Sequence, residues 1–154
     1  MFVMRNLRKL PSLIALMLII IPQTVFSGET NPEHLLYAKV IESYRQGDSL
    51  LLNKSVRLFL KTYPKSVHAD NSLYLNGLLA LSKENYKRAS KNFSLLQKYY
   101  PNGNKLPSAM VGRGIALRKL GKKETATKIF ESVRKKYPGS PEYFQSDFQL
   151  KILK

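Results

Sequence analysis

His34 and His68 are the only two histidines in the 154-residue sequence. Neither has a carboxylate cluster or a metal-ligand spacing around it, so both read as surface or packing residues rather than as ligands. There is no cysteine. A disulfide framework, a thiolate metal site and a cysteine nucleophile are therefore all excluded for these residues. Serine and threonine are plentiful, yet no nucleophile elbow occurs, and the "GRG" at Gly112 to Gly114 falls inside a helical pattern rather than after a strand. A peptidoglycan hydrolase would need paired carboxylates. The ten acids are scattered, and Asp70, Glu84, Glu124 and Glu131 read as helix-end and surface charges. The sequence predicts no enzyme, no cofactor and no metal. What remains for function is recognition, and the side chains suited to it are tyrosine, arginine and lysine.

The elements that must position those side chains are announced by a period. Tyr63-Pro64, Tyr100-Pro101 and Tyr137-Pro138 recur at a constant 37-residue interval. Upstream of each pair the columns agree in chemistry: Leu52, Ala89 and Ala126, then Val56, Phe93 and Phe130, then Phe59, Leu96 and Val133. Their spacing, with the closing tyrosine, follows i, i+4, i+7 and i+11, one face of an α-helix. A second apolar helical pattern precedes each one, through Leu36, Val40 and Tyr44, then Leu73, Leu78 and Leu81, then Met110, Ile115 and Leu117. Short polar turns, "RQGDS", "SKENY" and "LGKKE", separate the two helices of a unit, and Gly47 and Gly121 share a column suited to a left-handed helix end. Asn31-Pro32-Glu33 and Ser140-Pro141-Glu142 each supply a capping side chain, a proline where no donor is needed and an acid at the positive helix end. A helix pair of this size cannot bury its apolar face alone. The expected architecture is an all-α solenoid of three helix-turn-helix units, about 32–66, 69–103 and 106–140, with a capping helix over 141–154. Tyr143, Phe144, Phe148 and Leu150 or Ile152 are expected to cover the last apolar face.

With Gly77 and Gly114 in the first helix, Ala89 and Ala126 opening the second, Phe93 and Phe130 four residues on, and Pro101 and Pro138 closing the unit, the chain resembles a tetratricopeptide repeat array over residues 32 to about 144. The extended linker "Y-P-x-S-x-x-A" is similar to that of the periplasmic Tol-Pal accessory proteins that coordinate cell division. A similar pattern occurs in outer-membrane assembly lipoproteins, which rank second because they have more repeats and a lipidated cysteine. The Tol-Pal proteins carry a coiled coil ahead of their repeats, and that feature is not found here. The resemblance implies an envelope adaptor whose first helices line a groove for a protein or peptide partner. By column, the groove residues would be Tyr37, Tyr44, Arg45, Tyr74, Leu78, Val111, Arg118 and Lys119. Tyrosine and arginine favour burial against a partner.

The first 27 residues have the layout of a secretory signal: Arg5, Arg8 and Lys9, an apolar run "LPSLIALMLIII", Pro22, and small or tolerated residues at Val25 and Ser27. Cleavage is expected before Gly28, giving a periplasmic protein. The alternative is an inner-membrane anchor, but the apolar run would span roughly 18 Å against a hydrocarbon core of ~30 Å. The formal charge of the sequence is +16, and the excess rises toward the C-terminus. In an exported protein this argues against nucleic acid and for anionic lipid, lipopolysaccharide, wall polymer or acidic protein. A basic surface is expected at Lys87, Lys91, Lys128 and Lys135 on the second helices.

Overall fold

A computed structural model describes residues 31–153, and the predicted leader lies outside them. Seven helices follow one another: α1 (Pro32–Arg45), α2 (Ser49–Thr62), α3 (Ala69–Ser82), α4 (Tyr86–Tyr99), α5 (Leu106–Lys119), α6 (Lys123–Lys136) and α7 (Pro141–Leu153). The first six form three antiparallel pairs whose starts repeat at the 37-residue interval. No strand occurs among the described residues, and none of their helices is long and apolar enough to cross a membrane.

Local chemistry sets the helix ends. Asn31 Oδ1 accepts the Glu33 amide at 2.9 Å, Asp48 Oδ1 accepts those of Leu50 and Leu51 at 2.9 Å, and Ser140 Oγ accepts that of Tyr143 at 3.1 Å. Each cap satisfies amides that the helix leaves unpaired and typically stabilises by ~1 kcal/mol. Tyr63, Tyr100 and Tyr137 end the second helices in one conformation, with φ of −128° to −129° and ψ of 57° to 60°. The following proline excludes helical geometry at the residue before it and cannot itself continue the hydrogen-bond ladder.

Gly47 and Gly121 have positive φ, and Glu84, which occupies the same column of the second unit, also does, at 58°. A side chain there carries a steric penalty that glycine avoids. We expect Glu84→Gly to stabilise the fold by about 1 kcal/mol despite its greater unfolded-state freedom, measured as a shift in the urea midpoint at unchanged slope.

The helices pack in two layers. In the first layer α1 touches α3, α3 touches α5 and α5 touches α7, whereas among the second helices α2 does not reach α4 and α4 does not reach α6 at the backbone. The first helices thus form a continuous inner layer, and the second helices fan apart outside it. All nine predicted second-helix stripe positions, from Leu52 to Val133, are at most 1% exposed. Phe93 is clasped between two first helices, because a Cβ built on Gly77 would lie 2.5 Å from its ring and one on Gly112 2.6 Å. Gly114 meets Phe130 in the same way at 2.5 Å. In the first unit these two columns hold Val40 and Val56, also buried. Two medium side chains there fill the space that a glycine and a phenylalanine fill elsewhere.

Hydrogen bonds between units recur near the period. Tyr100 donates its hydroxyl to Pro64 O at 3.0 Å, Ser66 Oγ donates to Glu33 at 2.5 Å, and buried Asp70 accepts the amide of Lys105, just ahead of α5, at 3.1 Å.

The last helix departs from expectation. Phe144, Phe148 and Ile152 do not cover the end of the array; they are 64%, 60% and 49% exposed, along one outward stripe of α7. Its inward face is made of buried Ser146 and Gln149, with Leu150 and Leu153 packed on the core. Tyr143 turns back over the Arg134 guanidinium, 5.3 Å from its ring centroid.

Candidate functional site

The expected groove residues do not share one environment. Arg45 and Lys119 are exposed, and Tyr44, Leu78 and Arg118 are half-buried on the first helices. Val111 is a correction: it is only 2% exposed and belongs to the core. The cause is the position of α5, which is in contact with α3, α4, α6 and α7 and so has almost no free face.

Tyr37 and Tyr74 are half-buried and engaged between units. The ring of Tyr37 stacks on His68 at 4.1 Å and 10°, and its hydroxyl accepts from Asn71 Nδ2 at 2.6 Å. Tyr74 tilts against Phe93 at 6.0 Å and lies 5.9 Å under Lys105 Nζ. Burial raises its pKa, opposed in part by a hydrogen bond with Ser108, so the phenol is neutral at physiological pH. Tyr100 is also raised, first by burial and then by the charge of Asp70. Tyr37 and Tyr74, two of the three tyrosines among the groove candidates, thus tie adjacent units together. His34 and His68, far apart in sequence, bring their rings to 6.3 Å, and no group of three or more metal-ligating side chains forms among the described residues.

The larger concavities described lie between the fanned second helices. Lys91 lines a groove of about 610 Å³ between α2 and α4, and Lys128 lines one of about 430 Å³ between α4 and α6. Lys87 and Lys135 are exposed outside both. The α2–α4 groove also holds Arg57, Arg88 and three asparagines, Asn53, Asn76 and Asn92. Arg57 and the three asparagines do not belong to the residues expected from the sequence to form the groove or the basic surface. Three asparagines contributed by three helices make no linear motif. The available signal was that α2 and α4 contain seven Lys or Arg residues and no acid, whereas α6 contains two acids.

Among known families, residues 68–144 match YfiO, described as outer membrane lipoprotein. The match falls on the resemblance that ranked second in sequence. No curated protein matches the chain.

Proposed function

The chain belongs to the YfiO family of outer membrane lipoproteins, and on that premise we propose that it is a non-enzymatic scaffold of the bacterial envelope, seating a protein segment along its inner layer of first helices. The observation that carries this reading is that inner layer, in which half-buried Tyr44, Leu78 and Arg118 stand with exposed Arg45 and Lys119. Tyrosine and arginine in partly enclosed positions are favoured anchors, and a segment carrying an apolar side chain and a carboxylate would complement them. The finer role is in outer-membrane assembly, ahead of the Tol-Pal-linked division role that the linker resemblance supports. Location in the periplasm rests on the predicted leader.

A photo-crosslinking residue placed at Leu78, with Lys87 on the outer layer as control, tests the reading in envelope extracts. We expect protein adducts from position 78 and few from 87, and about tenfold less capture when Tyr44→Ala is combined with Arg118→Glu. Equal capture from both positions, or none from 78, would sink it.

A further inference from the structure

The groove between α2 and α4 has two chemically different ends. At one, Arg57, Arg88 and Lys91 surround Asn92; at the other, Pro64, Tyr99 and Tyr100 border a cavity of about 350 Å³. Leu60, Leu73 and Leu95 line both, so the two form one continuous trough on the outer side of the array. Each volume lies in the range of small-molecule sites, roughly 300–1,000 Å³.

The polar end presents donors. Arg88 Nη2 donates to Ser49 O at 2.8 Å and to Asn76 Oδ1 at 3.1 Å. With its carbonyl so engaged, Asn76 turns its amide nitrogen to Asn53 Oδ1 at 3.4 Å and Asn92 Oδ1 at 3.5 Å. The amide oxygens of all three asparagines are therefore used. Asn92 is 7% exposed, and its Nδ2 is buried with no partner among the described residues. A buried donor left unpaired is costly, and native structures rarely keep one without a reason. Arg57 and Lys91 are exposed and form no ion pair among the described residues, and neither α2 nor α4 contains an acid. Such a cluster is complementary to a group that carries negative charge and only acceptors.

We propose that this trough binds a single anionic phospholipid, its phosphoryl head at Arg57, Lys91 and Asn92 and its acyl chain along Leu60, Leu73 and Leu95 toward Tyr99 and Tyr100. A free phosphate would leave the apolar end empty. An acidic peptide would bring backbone N–H and C=O groups into that end, where Leu60, Leu73 and Leu95 offer them no partner and the Tyr100 hydroxyl proton is already given to Pro64 O, and polar groups buried without partners are penalised. An acyl chain makes no such demand.

Repeat geometry alone does not explain the cluster. In the α4–α6 groove Thr125 stands in the column of Arg88, Ile129 in that of Asn92, and Arg113 in that of Asn76, where it donates to Gln97 at 2.6 Å. Of the polar cluster, only Lys128 keeps the chemistry of its counterpart, Lys91.

The site lies on the opposite layer from the protein-binding strip and does not depend on it. Titration of the full chain with monolauroyl lysophosphatidylglycerol, followed by NMR, tests the assignment. We expect saturable binding that shifts the Asn92 side-chain amide signal. Lys91→Glu and Arg57→Glu should each weaken it about tenfold or more, as loss of a charge-assisted contact predicts. Lys128→Glu, the same charge change in the same column one unit on, should leave affinity within about twofold. Asn92→Ile, which installs the residue of that next column, should lose binding too, and the two exposed charge variants keep the test decisive if it misfolds. Equal weakening by Lys128→Glu would reduce the effect to overall charge and overturn the proposal. So would equally tight binding of dodecyl maltoside, of inorganic phosphate alone, or of an acidic apolar peptide that displaces the lipid.

Discussion

Gly114→Val should destabilise the array by about 1–3 kcal/mol or more, since even a Cβ at this position would stand 2.5 Å from the Phe130 ring. Phe130 is fully buried, and its ring is rooted in α6, so it cannot move aside as a flexible side chain would. Phe130→Val alone should also destabilise, by less than the ~3–5 kcal/mol of a buried Phe→Ala, because it leaves part of the ring volume empty. Combined, the two changes should offset each other and recover about 0.5–3 kcal/mol relative to their sum. The first unit supports this expectation, with Val40 and Val56 buried in the same columns. A double-mutant cycle by urea denaturation measures it, and strict additivity would mean that the two columns fill separate spaces.

Asp70→Ala should cost about 1.5–3 kcal/mol and, with it, the single-step character of unfolding. Asp70 is 5% exposed; its carboxylate accepts the Asn71 amide at 2.6 Å and the Lys105 amide at 3.1 Å, and its Oδ2 would lie 2.6 Å from a Cβ on Gly103. It thus clamps the second unit onto the turn that launches α5. In a linear array, where stability comes from each unit and its interfaces, loosening one junction lets the two sides melt apart. We expect two resolved transitions in a denaturation curve followed by far-ultraviolet circular dichroism. Asp70→Asn, which keeps one carbonyl acceptor, should lie between wild type and alanine. A single transition at an unchanged midpoint in the alanine variant would remove Asp70 from this role.

The fold was legible because its signals are local and repeated. The Tyr-Pro pairs mark helix ends through a steric effect that depends on adjacent residues only, and three copies give the same dihedral angles. The cap at Ser140 and the stripe from Leu52 to Val133 could be read in the same way. Properties that depend on several neighbours at once could not. Val111 shares a column with Tyr37 and Tyr74, which suggests a half-open position, but α5 is packed against α3, α4, α6 and α7 and leaves Val111 no free face. "SAMVGRGIAL", small or apolar nearly all round, was the warning, since a helix without a polar face is a buried one. Phe148 occupies the same column again and is exposed, because α7 turns Ser146 and Gln149 inward. The asparagine cluster was hidden for another reason: its members are separated by 23 and 16 residues and are united only by packing.

The exchange between Val40 with Val56 and a glycine with a phenylalanine also bears on kinship. A position-by-position comparison counts two radical differences between the first unit and the next two, while the core loses little volume through them. The family match begins at residue 68, at the threshold of the second unit, and leaves the Val–Val unit outside it. Ancestry in such an array is better traced in pairs than in letters, with the volume two facing columns fill together taken as the inherited character.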